Sequence, residues 1–144
     1  MKHMPTLAEV MTAFPVHVTE DVSLITAVAL MSEHGCHHLP VMDEHRVVGI
    51  LGAEEIKLAQ SPGHGLDNAA GLTAGDLCQR RFAQVDLHTR LDVVLQGMAQ
   101  DGRNAVIVLK QDRLAGILTS QDACRYFALW LRKEFLGDDD PGVA

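Results

Sequence analysis

The sequence predicts an α/β (α+β) fold in which two tandem β-α-β-β-α repeats pack with pseudo-two-fold symmetry. Three observations carry this. The stretches GILGAEE at Gly49 and GILTSQD at Gly116 lie 67 residues apart (116 − 49), and the same offset, without a gap, sets Val18 on Val85, Leu24 on Leu91, Met31 on Met98, Val41 on Val108 and Arg46 on Arg113. That is a tandem duplication, from Glu9 to Leu58 and again from Asp76 to Arg125. Each copy also holds one apolar run of helical period and, after it, two short apolar runs split by a polar turn.

The elements follow in order. PVHV and FAQV open the copies as short strands. Leu24, Ala27, Val28 and Met31, and likewise Leu91, Val94, Leu95 and Met98, recur at i, i+3, i+4 and i+7, the spacing of a helix with one buried face. Gly35 and Gly102 stand where a left-handed residue ends each helix. HLPVM with VVGIL, and AVIVL with LAGIL, read as hairpins turning at Asp43 to Arg46 and at Lys110 to Arg113. A second helix closes each copy, and the last one extends through Tyr126, Phe127, Trp130 and Leu131, which share a broad apolar face.

This divides the chain into a first repeat with a short lead, 1–60, a linker, 61–73, a second repeat with an extended last helix, 74–136, and a disordered tail, 137–144. The linker rests on the Pro, Gly and Asn of SPGHGLDNAAG and the tail on GDDDPGVA. One copy of about 50 residues buries too little apolar surface to stand alone, so the two are expected to pack together and leave a cleft suited to a small ligand.

Composition narrows the function. With 12 Lys and Arg against 19 Asp and Glu, the formal net charge of −7 argues against a nucleic-acid binder, which needs clustered cations on phosphates. Cys36, Cys78 and Cys124 are odd in number and show no C-x-x-C spacing, which fits a reducing compartment. The start lacks an apolar signal core, and no apolar run approaches the roughly 18 residues of a membrane span. A soluble cytoplasmic protein, with neither membrane nor nucleic acid as partner, is expected.

The two junctions differ where chemistry is most readable. Thr119 and Asp122 have the spacing of a capping box, in which the hydroxyl accepts an N–H of the first turn and the acid sits at the positive end of the helix. The first copy has Gly52 and Glu55 instead, which can also serve a helix start. Spacing alone leaves capping and ligand binding both open.

The duplicated unit, its helix-ending glycines, the HLPV strand and the G-I-L-T-x-x-D ending together resemble the tandem CBS domain, the paired cystathionine β-synthase module in its stand-alone prokaryote-type Bateman form. The likeness covers about 110 of 144 residues. It implies a regulatory sensor that binds an adenosine-containing ligand, AMP, ADP, ATP or S-adenosylmethionine, in the cleft between the repeats, and signals occupancy to a regulated protein partner or across a homodimer. It implies that Asp122 accepts from a ribose diol, which a carboxylate can do with two oxygens, and that Thr119 bonds ribose or phosphate at the helix start. It places the base against Ala83, Val106 and Ile107 of the same copy, and runs Arg80 and Arg81 beside the ligand, where one can pair with a phosphate. Gly52 lacks a hydrogen-bonding group and Glu55 carries an extra methylene, so the first-repeat site is expected to be empty, weak or altered.

Two further classes are weighed. His34, His37 and His38 beside Cys36 suggest a metal, with His64 as a distant ligand, but their spacing is poor, since His37 and His38 point to opposite faces of a strand. No metal or cofactor is expected. No nucleophile elbow, H-E-x-x-H, Walker loop or G-x-G-x-x-G is present, and Cys78 matches apolar Met11, so no enzyme is expected. The rival is a ligand-free dimerisation or adaptor module in which GILTSQD is only a cap.

Overall fold

The computed structural model describes residues 3–60 and 71–137. Most of the expected linker (61–70) and nearly all of the tail (138–144) lie outside them, as does His64.

Each repeat begins with a single helical turn that the sequence reading did not anticipate. Helix α1 (Leu7–Val10) and helix α4 (Ala74–Leu77) are each started by a capping box, Thr6 with Glu9 and Thr73 with Asp76. The hydroxyl accepts from the N–H three residues on, and the carboxylate accepts from the capping residue's own N–H, at 2.9–3.3 Å.

These turns are exchanged between the repeats. Leu7 and Val10 are buried in the second repeat's core with Leu91, Val94, Met98, Val108 and Leu118. Ala74 is buried in the first repeat's core with Leu24, Ala27, Leu39 and Leu51. The chain then pairs with the far repeat as well. Strand β1 (Thr12–Ala13) runs antiparallel to β7 (Arg113–Thr119), matching Thr12 to Ile117 and Ala13 to Gly116. At the offset of 67, Gln79 bridges Ile50 on β4 (Arg46–Gly52), with both N–H groups donating at 2.9–3.0 Å.

The crossing explains the glycine that opens both heptapeptides. A Cβ at Gly116 would lie 2.9 Å from the Thr12 carbonyl oxygen and crowd the Met11 side chain; at Gly49 it would lie 2.9 Å from the Gln79 oxygen and crowd Cys78. Only glycine lets the foreign strand approach this closely.

Two sheets result, β1-β7-β6-β5 with β6 at Ala105–Lys110 and β5 at Ala83–Asp86, and β2-β3-β4 with β2 at Val18–Thr19 and β3 at His38–Asp43. Strands β2 and β5 run parallel to β3 and β6, which form hairpins with β4 and β7. Both hairpins shift register at equivalent points, after Val41 and after Val108. Ile50, Ala105, Ile107 and Ile117 form a core between the repeats. Of the expected strand PVHV only Val18 is in the ladder, because residues 14–17 carry the chain between the sheets and Pro15 has no N–H to donate.

Helices α2 (Leu24–His34) and α5 (Leu91–Asp101) take the expected positions and end on Gly35 and Gly102 at φ 63° and 65°. Val28 is the exception in the expected stripe: it is 39% exposed, while Leu24, Ala27 and Met31 are buried. Helix α3 (Ala53–Gln60) closes the first repeat and α6 (Ser120–Phe135) the second. The broad apolar face of α6 is left exposed by the described residues. Asp122 is the one fully buried residue of that helix, Tyr126 is partly buried, and Phe127, Trp130 and Phe135 pack on each other outside, with ring centroids 5.8 and 6.3 Å apart.

Candidate functional site

The start of α6 is a complete capping box. The Thr119 hydroxyl accepts from the Asp122 N–H at 3.1 Å, and Asp122 Oδ2 accepts from the Thr119 N–H at 3.0 Å and its hydroxyl at 2.9 Å. Oδ1 accepts from the Thr12 hydroxyl at 3.1 Å and from Arg125 at 3.3 Å. Asp122 is thus 6% exposed with both oxygens engaged, the condition on which a buried carboxylate is tolerable. Arg125 is solvent-facing, so its ion pair adds little through charge alone.

Thr119 and Asp122 face a cavity of about 380 Å³ whose opposite wall belongs to the first repeat: Thr12, Phe14, Pro15 and Val16 from the crossing segment, and His34 to His38 from the end of α2. Arg80, Arg81, Ala83, Val106 and Ile107 do not line this cavity. Val106 and Ile107 are buried in the core, and Ala83 pairs with Val106 in the sheet. Arg80 is tied to Glu20 at 2.8 Å and to the Gly75 carbonyl at 3.0 Å, and Arg81 offers its carbonyl to Arg103. Each lead segment lies on the other repeat, so the wall facing a junction comes from the opposite copy.

The first-repeat junction has the equivalent but smaller cavity, about 160 Å³, with Gly52 and Glu55 facing Gln79, Phe82, Arg103 and Asn104. A Cβ on Gly52 would collide with the Glu55 carboxylate, so the longer acid occupies the space that Thr119 fills in the second repeat. A third cavity, about 300 Å³, joins the two helix starts and is lined by His37, His38, Glu55, Lys57, Thr119 and Ser120.

His38 borders all three cavities. Burial lowers its pKa below the ordinary histidine value, and the neighbouring His37 lowers it too, while the Glu55 carboxylate partly opposes them. Burial pushes the Cys36 and Cys78 thiols up, which leaves them poor nucleophiles. Among the described residues no group of three or more His, Cys, Asp or Glu is arranged to hold a metal ion, and no helix is long and apolar enough to cross a membrane.

Sequence reasoning missed Thr12, the histidine wall and Arg125. Arg125 stood one helical turn beyond Asp122, a spacing that places two side chains on one face. Thr12 had no comparable signal, since its role depends on which repeat its strand joins.

The CBS domain model matches this chain twice, at residues 7–61 and 74–129. The chain belongs to the CBS-domain family. Its two CBS domains share 32% identity over 125 residues with Hypoxic response protein 1 of Mycobacterium tuberculosis, covering 85% of each chain. The crystal structure of Hypoxic Response Protein I with two coordinated zinc ions superposes at TM-score 0.70 with 29% identity, over 85% of this chain and 98% of that one. The CBS domain pair of protein MJ0100, solved with methylthioadenosine and S-adenosyl-L-methionine, superposes at TM-score 0.77 with 22% identity, over 89% and 99%. AcuB of Vibrio cholerae, at TM-score 0.77 and 21% identity over 92% and 98%, has the same fold.

Proposed function

We propose that this CBS pair is a regulatory module, not a catalyst, that binds an adenosine-containing ligand at the Thr119/Asp122 cavity and passes the signal on through a homodimer or a protein partner. The observation that carries the reading is the asymmetry of the two junctions. Only the second combines a hydroxyl, a carboxylate and a cavity of about 380 Å³. A ribose diol would take over the Oδ1 positions now held by Thr12 and Arg125, and phosphate would lie toward the cavity shared by the α3 and α6 starts, where the positive ends of the helix dipoles favour negative charge. The adenosyl compounds bound by the MJ0100 pair support the ligand class. The aromatics of α6 that are exposed among the described residues support a second copy of this chain as the dimer partner, and three unpaired cysteines fit a reducing, cytoplasmic setting.

One observation favours the rival reading of a ligand-free adaptor: the capping box is complete without a ligand. Thermal shift with AMP, ADP, ATP and S-adenosylmethionine on the wild type and Asp122→Ala separates the two, because a ligand that binds only the native state must raise its melting temperature. Loss of the carboxylate removes a charge-assisted contact of about 1.5–3 kcal/mol, tenfold to over a hundredfold in affinity. Both readings expect the unliganded variant to melt lower. A ligand-induced shift that disappears in the variant supports the sensor; no shift in the wild type at millimolar ligand leaves the adaptor.

A further inference from the structure

We infer that Phe14 is the stacking surface for the planar base of the ligand, an inference that rests on the adenosine-ligand reading of the Asp122 cavity. Phe14 is held left-handed, at φ 47°. A bulky side chain disfavours that region, and a residue before proline is pushed toward extended backbone, so Phe14, followed by Pro15, is strained on both counts.

Its own packing does not explain the conformation. The ring is 87% exposed, the most of any large apolar side chain among the described residues. The backbone is nevertheless anchored on both sides. The Phe14 N–H donates to the Ala115 carbonyl at 3.0 Å, continuing the β1–β7 pairing, and Pro15 is buried. The exchange of lead segments therefore forces the ring outward at a fixed place, the rim of the cavity that holds Asp122.

The first-repeat junction has no counterpart to this residue among its lining. The offset of 67 puts Arg81 at the equivalent place in the second repeat, and Arg81 is not among the residues of positive φ. The strained aromatic thus accompanies the junction with Thr119 and Asp122, not the one with Gly52 and Glu55. Backbone strain kept at one of two equivalent positions points to a use there. The π-face of a phenylalanine supplies a flat apolar surface at the rim of the cavity on which any heterocyclic base can stack. Stacking would also bury the ring.

Calorimetric titration with AMP and with base-free ribose 5-phosphate, on the wild type, Phe14→Ala, Phe14→Trp and Asp122→Ala, tests this. The expected result is that Phe14→Ala weakens AMP about tenfold or more, Phe14→Trp retains its affinity, and Phe14→Ala leaves ribose 5-phosphate unchanged while Asp122→Ala weakens both. Unliganded Phe14→Ala should melt no lower than the wild type, since an exposed, strained ring is removed. Unchanged AMP affinity in Phe14→Ala, with loss in Asp122→Ala, overturns the stacking role and leaves the ribose site standing. Equal weakening of AMP and ribose 5-phosphate by Phe14→Ala also overturns it, because the effect then does not pass through the base. Failure of AMP to bind the wild type removes the ribose reading and the stacking role together.

Discussion

The hydroxyl of Thr12 donates to Oδ1 of Asp122 at 3.1 Å across 110 positions of sequence. One bond therefore ties the exchanged lead strand of the first repeat to the only fully buried charged side chain among the described residues. Thr12→Val keeps the β-branched shape and deletes the donor. We expect a loss of about 1 kcal/mol in denaturant unfolding with an unchanged slope, since a buried acceptor loses one of its partners but not all. An unchanged midpoint would mean that water or Arg125 replaces the hydroxyl at no cost.

The first-repeat junction offers a constructive test of the site. Gly52→Thr alone should cost little stability, because its Cβ runs only into the Glu55 carboxylate, the far end of a flexible side chain that can swing aside. Glu55→Asp withdraws that carboxylate by one methylene, so Gly52→Thr with Glu55→Asp rebuilds the Thr119/Asp122 pair at this junction, and a double-mutant cycle reads the coupling of the two positions. If the hydroxyl and the aspartate are what the ligand needs, the double variant should raise the calorimetric stoichiometry of an adenine nucleotide from one to two per chain. Stoichiometry that stays at one, with the fold intact, would assign the difference to the walls of the smaller cavity instead.

His38 gives the pH dependence its sign. Its folded pKa lies below the ordinary value of about 6.5 because burial disfavours the charged ring. As pH falls through about 6.5 the unfolded chain binds the proton first, so the stability contributed by His38 is fully present above that value and is lost on acidification. His38→Asn should flatten this part of a stability-against-pH curve relative to the wild type. A nucleotide phosphate beside the ring would favour its charged form, so ligand affinity should rise over the same fall in pH; a variant that keeps both slopes would place the titrating group elsewhere.

Much of the fold was legible because its signals are local. The 3.6-residue spacing of Leu24, Ala27 and Met31, the left-handed Gly35 and Gly102, and the Thr119/Asp122 box each depend on residues within one turn of one another. The repeat added a long-range constraint, since an offset of 67 cannot arise from local propensity. The single-turn helices at Leu7–Val10 and Ala74–Leu77 were missed although both carry capping boxes, because four residues show no periodicity. The residues that the CBS resemblance sets beside the ligand, Arg80, Arg81, Ala83, Val106 and Ile107, do not line the cavity at Asp122.

The sequence by itself determined that a β-α-β-β-α unit occurs twice and that only its second junction holds both a hydroxyl and an aspartate. Hydrophobic period, glycine conformation and capping chemistry are all read within a few residues. Only the tertiary structure decided that the lead segments change places, that Thr12 meets Asp122, and that Phe14 is turned out at the rim. Those outcomes depend on which of two nearly equivalent sheets a strand joins. Equivalent repeats offer nearly the same edge and the same glycine, so the choice rests on packing summed over the whole chain.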